Sequence, residues 1–175
     1  MKREYVEIAG IKWAKMNVGA EKETDIGLYF QYGAEQGYTH PTNLCKFIKR
    51  PKNFCESVQT YWGDKWRMPT RKEFDALISA TTTEWVENYK DSGVSGNLFT
   101  DKNDNSKTIF FPACGFCGNG SVYGVGKYGY YWSSSPSNVF MYNAWFLAFY
   151  NGDANTFSND RYYGYGVRGI FIDKL

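Results

Sequence analysis

The sequence lacks several features that would assign it to a common functional class. Its 175 residues include a single histidine and no long apolar run, so no stretch is a candidate transmembrane helix. The net charge of +2 gives no reason to expect nucleic-acid binding or membrane insertion. The first ten residues, MKREYVEIAG, contain no apolar signal core. We expect either no export by that route or a leader outside this sequence.

The cysteines do not form a metal-binding pattern. Cys114 and Cys117 make one C-x-x-C pair, but Cys45 and Cys55 are ten residues apart and His40 is the only histidine. A redox motif would begin a helix, whereas this pair follows a strand-like TIFFPA. We therefore predict free thiols, with a disulfide as the alternative, and we predict no metal and no cofactor.

Local patterns predict a single α+β domain over residues 1–175, with mostly antiparallel sheets. Alternating residues predict a hairpin at 5–16. Thr70 and Glu73 form a capping-box pattern that begins one clear helix near 70–80. Asn151 and Gly152 between alternating runs predict a C-terminal hairpin over 143–158.

The stretch 130–170 differs from the rest of the chain in composition. It contains no Lys, Glu or Gln, although the sequence has fourteen, nine and three of them. It is rich in Tyr, Phe, Asn, Ser, Asp and Gly, which is the composition of antibody binding loops. Because solvated surfaces normally carry long charged side chains, we predict that this stretch forms a contact surface.

Strand alternation divides this stretch into two sets of residues. Trp145, Leu147 and Phe149 fall on one side of a strand and are predicted to be core. Phe146, Ala148 and Tyr150 fall on the other side. Together with aromatic residues from the following loops, this second set predicts a binding patch.

Five segments resemble a known family when they are read in order. They are WGDKWRMPTRKEF (62–74), FFPACG (110–115), GYYWSSS (129–135), AWFLAF (144–149) and VRGI (167–170). The chain resembles C-type lectin-like domains of the formylglycine-generating-enzyme type. Within that group it is similar to the variable proteins of diversity-generating retroelements of phages and gut bacteria, and to paralogous surface-protein domains of Bacteroidetes and Fibrobacter.

The resemblance implies a diversified hairpin within a variable region at about 130–170. In those proteins, mutation of template adenines turns asparagine-type codons into codons for Tyr, Asp, Ser, Phe, Gly, Ala or Val, but never Lys, Glu or Gln. Met141 departs from this pattern, because such codons cannot encode it. The implied ligand-binding positions are Val139, Phe140, Tyr142, Phe146, Ala148, Tyr150, Asp153, Phe157, Ser158, Asp160, Tyr162, Tyr163, Tyr165 and Gly166. The implied scaffold positions are Trp132, Trp145, Leu147, Phe149, Gly152, Arg161, Gly164 and Arg168.

The function implied by the resemblance is receptor recognition by a diversified surface on a rigid scaffold. The expected partner is a protein or glycan on a cell surface, and the expected location is a phage virion or a bacterial cell surface. The sequence does not indicate an oligomeric state.

Three alternatives remain open at this point. An enzyme of the formylglycine-generating type would rely on Cys114 and Cys117, but no His, Asp or Glu constellation supports them, so we predict no catalytic residues. A lectin that binds carbohydrate without a metal is the second alternative. An undiversified bacterial surface or adhesin domain is the third.

Overall fold

The computed structural model describes residues 3–39 and 51–173. It contains two α-helices, α1 (Ser57–Trp62) and α2 (Arg71–Ala80), and a 3₁₀ turn at Tyr89–Asp91. The described strands, numbered in chain order, are β1 (Tyr5–Ile8), β2 (Ile11–Asn17), β3 (Leu28–Gln31), β4 (Tyr38–Thr39), β5 (Trp66–Arg67), β6 (Thr81–Val86), β7 (Gly96–Asp101), β8 (Thr108–Pro112), β9 (Phe116–Gly118), β10 (Ser121–Tyr123), β11 (Tyr128–Pro136), β12 (Asn143–Tyr150), β13 (Asp153–Asp160), β14 (Gly164–Tyr165) and β15 (Arg168–Phe171).

The strands form four sheets, and every pair of neighbouring strands in them is antiparallel. Two sheets have mixed chain order, β1-β2-β15-β5 and β10-β9-β14-β3-β4. The other two are meanders of consecutive strands, β6-β7-β8 and β11-β12-β13. The last strands, β14 and β15, lie inside the mixed sheets and so connect the C-terminal region to the N-terminal half.

The α+β assignment is wrong, because the protein is a β-rich fold. Strands make up 47% and helices 12% of the described chain. Helix α2 packs against the inner faces of the β11-β12-β13 and β6-β7-β8 sheets and does not form a helical layer of its own. The sequence pattern identified the one strong helix correctly but gave it too much weight in the fold class.

The strongest local signals are confirmed. In α2 the Thr70 side chain accepts a hydrogen bond from the Glu73 amide, and the Glu73 carboxylate accepts one from the Thr70 amide, which completes the capping box. The turn between β12 and β13 has positive φ at both Asn151 and Gly152, 49° and 94°, as a tight hairpin requires. The predicted hairpin at 5–16 is β1 and β2.

Two further regions contain strands that the local patterns do not indicate. The segment around Trp85 is strand β6, which pairs with β7 along its whole length. The β-branched run Thr81–Thr83 begins this strand directly after α2. The glycine-rich stretch 114–126 contains β9 and β10. The basic positions Lys46, Lys49 and Arg50 lie outside the described residues.

A fully buried arginine connects separate parts of the scaffold. The Arg168 guanidinium donates to Asn17 Oδ1 and to the carbonyls of Ala14 and Phe110, at 2.8 to 3.0 Å. It also lies 4.2 Å from the Phe111 ring centre. No carboxylate of the described residues pairs with it, and burial lowers the Arg168 pKa to about 10. Arg168 thus joins β15 to β2 and β8 through hydrogen bonds, in agreement with its predicted scaffold role.

Candidate functional site

The candidate site is one face of the β11-β12-β13 sheet. Strand alternation places Leu147 and Phe149 of β12 on the inner face, where both are at most 2% exposed and join the core with Tyr131. The opposite face is open to solvent at its edges. The predicted division of β12 into a core side and an outer side is therefore found for these residues.

Cross-strand pairing arranges the outer side chains in three rows. Each row takes one residue from β11, one from β12 and one from β13. The rows are Tyr128, Tyr150 and Asp153; then Tyr130, Ala148 and Asn155; then Trp132, Phe146 and Phe157. Ala148 has the smallest side chain in this set and occupies the centre. The larger side chains around it, Tyr130, Phe146 and Tyr150 above all, therefore leave a hollow above Ala148.

This hollow is a cavity of about 820 Å³. The rows on the sheet form its base, and aromatic residues from β9, β14 and the segment before β14 form its far wall. The cavity is lined by Phe116, Tyr128, Tyr130, Phe146, Ala148, Phe149, Tyr150, Asp153, Ala154, Asn155, Phe157, Asn159, Tyr163 and Tyr165. Its size and mainly aromatic lining are those of a small-ligand or side-chain pocket.

The deep end of the cavity is built from stacked aromatic rings. Tyr165 stacks on Trp132 with ring centres 4.2 Å apart and lies 4.8 Å from Phe146. Its hydroxyl accepts a hydrogen bond of 3.1 Å from Asn159 Nδ2. Burial raises the pKa of Tyr165, so the hydroxyl stays neutral at physiological pH. The rings leave little freedom of movement, which makes this end of the cavity rigid.

The loop between β11 and β12 presents four apolar side chains to solvent. Val139, Phe140, Met141 and Tyr142 are 79, 60, 72 and 54% exposed. The largely buried Ser137 holds the loop in place, because its hydroxyl accepts hydrogen bonds from the amides of Val139 and Phe140. The loop extends the aromatic face beyond the end of the strands.

Strand β13 is an edge strand, and asparagines occupy part of its free edge. The Trp145 carbonyl accepts a hydrogen bond from the Ser133 hydroxyl and therefore faces β11. Trp145 pairs with Ser158 of β13, and the backbone groups of successive residues face opposite edges of a strand. The amides of Thr156 and Asp160 therefore point away from β12. Each of these amides donates to the side-chain oxygen of the preceding residue, Asn155 or Asn159, at 2.8 Å. Two outward backbone donors are thus satisfied within the strand itself.

Trp145 departs from its predicted core position. It is half-buried, and the Arg71 guanidinium lies 3.3 Å from its ring centre. Arg71 is the first residue of α2 and also reaches Thr156 and Asp75. The prediction is wrong because Leu147 and Phe149 are buried in one core cluster with Phe74 and Leu77 of α2. Trp145 instead lies where the helix begins, beneath the side chain of Arg71.

Seven of the predicted binding residues line the cavity: Phe146, Ala148, Tyr150, Asp153, Phe157, Tyr163 and Tyr165. Their exposure is uneven. Tyr150 and Phe157 are 57 and 51% exposed, whereas Phe146 and Tyr165 are 5 and 2% exposed. The buried pair therefore contributes to the core as well as to the cavity.

The other predicted positions lie outside the cavity. Three of them, Val139, Phe140 and Tyr142, are in the exposed loop. Ser158 and Asp160 lie on the inner side of β13 by strand alternation. Tyr162 is half-buried against the core, and Gly166 is buried so closely that an added Cβ would lie 3.0 Å from the Tyr131 ring.

Seven cavity residues are not among the predicted binding positions: Phe116, Tyr128, Tyr130, Phe149, Ala154, Asn155 and Asn159. Of these, Phe149 is a predicted scaffold residue. The alternation of Tyr128, Tyr130 and Trp132 could have identified the β11 side. Asn155 and Asn159 alternate with Phe157 in the same way. Phe116 gave no local signal, because the long-range pairing of β9 with β14 determines its position.

The cysteines and acidic residues do not build a second chemical centre in the part of the chain that the structure describes. Cys55 and Cys114 are free, which agrees with the prediction, but Cys117 is disulfide-bonded, which does not. Cys45 and His40 lie outside the described residues. Residues 3–39 and 51–173 contain no group of three or more His, Cys, Asp or Glu side chains placed to hold a metal ion.

The fold and the site together define a β-rich domain that carries an aromatic cavity on the outer face of a three-stranded sheet. The chain belongs to the Lcl C-terminal domain family, whose family model matches residues 8–168. No curated protein and no solved structure matches the chain significantly. Among the described helices, none is long and apolar enough to cross a membrane.

Proposed function

We propose that this protein binds a ligand through the aromatic cavity and the exposed loop beside it. The observation that carries the proposal is the 820 Å³ cavity, because seven residues selected from the sequence as binding positions contribute to its lining. Membership of the Lcl C-terminal domain family supports a ligand-binding role of this kind. Tyr and Phe supply large, rigid contact areas at low entropic cost, which suits recognition.

The scaffold would contribute by holding the binding side chains in place before a ligand arrives. Tyr165 and Phe146 are packed against Trp132, and Ser137 orders the loop that carries Phe140. Groups that are already ordered lose less entropy on binding. Affinity would then depend on which side chains occupy the cavity and not on rearrangement of the chain.

We also propose that the surface is diversified between copies of the gene. Six of the implied variable positions, Val139, Phe140, Tyr142, Tyr150, Asp153 and Phe157, are exposed, so replacing them has little cost to the core. Phe146, Tyr165 and Gly166 are buried, and here variation would be restricted. This proposal concerns the origin of the surface, and it is independent of whether the present cavity binds a ligand.

The gene sequence tests diversification directly. We expect pyrimidine-ending codons at the implied variable positions. We also expect a nearby template repeat that differs from the gene at adenines and lies beside a reverse transcriptase gene. An isolated gene without such a repeat would contradict diversification and would favour the undiversified surface domain.

The partner we propose is a macromolecule on a cell surface, most simply a protein, and the proposed setting is a phage virion or a bacterial surface. Catalysis is not part of the proposal. Burial raises the pKa of the Cys114 thiol, which disfavours the thiolate that a cysteine-based enzyme needs. The side chain is also fully covered and does not meet solvent.

A glycan is the second candidate ligand, and the side chains of β13 favour it. Asn155 and Asn159 present amide groups beside the aromatic faces of the cavity. Sugar rings are bound by this combination, because their hydroxyls meet amides while their C–H faces lie on aromatic rings.

The test compares the protein with a variant in which the cavity is filled. Wild-type protein is screened against a displayed library of random linear peptides and against a glycan array, and the bound probes are then titrated. Ala148→Trp fills the centre of the cavity, so we expect at least a ~10-fold loss of affinity for every selected probe. Ala20→Trp, in the loop between β2 and β3, is the control for adding a tryptophan.

Equal binding by wild type and Ala148→Trp would contradict the proposed site. Circular dichroism and thermal unfolding of both variants establish that each is folded. Selective loss in Ala148→Trp, with Ala20→Trp unchanged, supports the cavity. The array on which the probes are found then separates a peptide ligand from a glycan.

A further inference from the structure

One end of the cavity combines two tyrosines with a carboxylate. Tyr128, Tyr150 and Asp153 form the first cross-strand row, next to the β12–β13 turn. The two rings are in contact, with centres 5.2 Å apart and planes inclined by 37°. A group bound here would therefore lie on the solvent-facing side of the rings, beside Asp153.

Asp153 is the one charged residue among the residues that line the cavity. Its side chain is exposed and, among the described residues, takes part in no hydrogen bond or ion pair. No lysine or arginine lines the cavity within the described chain. The local charge of the cavity is thus negative, although the protein carries a net charge of +2.

Aromatic faces add to this negative character. The ring quadrupole attracts cations to the faces of Tyr and Phe, and the attraction grows when water is excluded. A carboxylate at the same place adds a direct charge pair. An anionic ligand would meet repulsion from both features, and a neutral one would gain from neither.

The middle row suits the stem of a long side chain. Ala148 leaves a hollow bounded by Tyr130 on one side, and the Asn155 side chain lies on the other side of Ala148. Methylene groups placed over Ala148 would be covered by aromatic carbon, and the end of the stem would reach the Tyr128–Tyr150–Asp153 row. Lysine and arginine have this form, an apolar stem with a cationic head.

We infer that the occupant of the cavity is a basic side chain, arginine or lysine, presented by a protein ligand. This inference rests on the proposed function, because it names the ligand chemistry of the same site. The cationic head contacts Tyr128 and Tyr150 and pairs with Asp153. The stem lies over Ala148. Asp153 is then a specificity-determining residue, and the surrounding aromatic residues determine the shape of the cavity.

The experiment uses the random linear peptide library with wild-type protein and three variants. We expect wild type to enrich peptides that contain arginine or lysine. Asp153→Asn should weaken a selected basic peptide about 5-fold through loss of the charge pair. Tyr128→Leu should weaken it about 3-fold through loss of the cation–π contact. Asp153→Lys should stop the enrichment of basic peptides.

The matched control is Asp64→Asn, which changes the net charge by the same amount at an exposed position outside the cavity. It should leave affinity unchanged. Replacing the basic residue of the selected peptide by glutamine or norleucine separates the charge from the stem. We expect glutamine to lose most of the affinity and norleucine to retain only the part due to stem burial.

The outcomes separate this inference from the proposed function. If selected peptides lack basic residues, but Ala148→Trp abolishes their binding, the cavity is the binding site and our assignment of its occupant is wrong. The same conclusion holds if the cavity selects glycans and no peptides. If Asp64→Asn weakens binding as much as Asp153→Asn, only overall charge matters and the inference fails. If Ala148→Trp changes nothing, the inference and the proposed function both fail.

Discussion

The two faces of the β11-β12-β13 sheet show how one hairpin can serve both fold and recognition. On the inner face, Tyr131, Leu147 and Phe149 are at most 2% exposed. On the outer face, exposure rises from 5% at Phe146 to 57% at Tyr150. The centre of the inner face is uniform because these three residues are core, whereas Trp145, Ser158 and Asp160 towards its end are only partly buried. The outer face is graded, so its deepest residues stabilise the fold while its outermost residues are free to change.

This comparison changes how the predicted variable positions are interpreted. Codon-based diversification would treat all of them as equivalent, but Tyr165 stacks on Trp132, Phe146 meets the same ring edge-on, and both side chains are buried. Tyr150 and Phe157 contact mainly solvent and neighbouring rings. We call the buried residues Phe146 and Tyr165 the cavity floor, and the exposed residues Tyr150 and Phe157 the rim. We expect stability to depend strongly on the inner face and the cavity floor, and weakly on the rim.

The largest expected effect comes from the scaffold behind the inner face. Arg168→Met removes three hydrogen bonds from a charged, buried donor and leaves the carbonyls of Ala14 and Phe110 unpaired. We expect the free energy of unfolding to fall by about 3 to 5 kcal/mol. Urea unfolding followed by tryptophan fluorescence measures it. Arg3→Met, at the surface, is the control, and a comparable loss in both variants would contradict a special role for Arg168.

The second test compares how much the two faces of β12 contribute to the free energy of unfolding. Leu147→Ala opens a cavity in the inner face and should cost about 3 kcal/mol of unfolding free energy. Tyr150→Ala, three residues along on the outer face, should change it by less than about 1 kcal/mol, because the ring is mainly exposed. Chemical unfolding of both variants gives the comparison. Equal losses would show that the outer rim is also structural.

The third test uses pH, because burial raises the pKa of the interior tyrosines. The pKa is raised for Tyr29, Tyr131 and Tyr165, and that of Tyr32 rises to about 12. In the unfolded chain these hydroxyls ionise near pH 10, so above that pH the folded state holds more protons than the unfolded state. Stability from these groups is complete below about pH 10 and is lost as pH rises towards their folded pKa values.

Each such tyrosine lowers the free energy of unfolding by about 1.4 kcal/mol for each pH unit in that window. Arg168 acts in the opposite direction, because its pKa of about 10 lies below the unfolded value and deprotonation then favours the folded state above that pH. One arginine does not offset four tyrosines, so we expect a net loss of stability above about pH 10. Phenolate absorbance and circular dichroism should change together. Stability that stays constant from about pH 9 to pH 11 would contradict this.

The smallest expected effect is at the rim of the outer face. Phe157→Ser introduces a residue that diversification would supply at an exposed position of β13. We expect the unfolding free energy to change by less than about 1 kcal/mol. Tyr165→Ser is the matched change on the cavity floor and should cost at least twice as much, because it removes a buried ring. A large loss at Phe157 would leave no clear division between rim and floor.

Local sequence signals predicted the parts of the fold that short-range physics determines. The capping box at Thr70 and the Asn151–Gly152 turn are set within a few residues, and both are found where the sequence places them. Strand β8 contains the strand-like TIFFP segment, but its partners β6 and β7 and the short strands β9 and β10 were not predicted. Strands β9 and β10 lie in a glycine-rich stretch, and β9 is held in its sheet by a distant segment, because Cys117 pairs with Gly164.

The candidate site was predictable to the same extent. Period-two alternation placed Phe146, Ala148 and Tyr150 on a common face, and the structure puts all three around the cavity. Phe116 could not be found this way, because it comes from another sheet. Ser158 shows the opposite error. Serine is a residue type that fits the composition of a binding surface, but strand alternation places Ser158 on the inner side of β13.

The asparagines along the free edge of β13 have a consequence for assembly. An exposed strand with open backbone donors is a template on which a second copy can add, and a Tyr-rich hairpin would favour such growth. Asn155 and Asn159 engage the outward amides of Thr156 and Asp160, which leaves fewer donors for an incoming strand. Two copies that meet in solution therefore pair less readily through this edge, and the outer face of each hairpin stays uncovered.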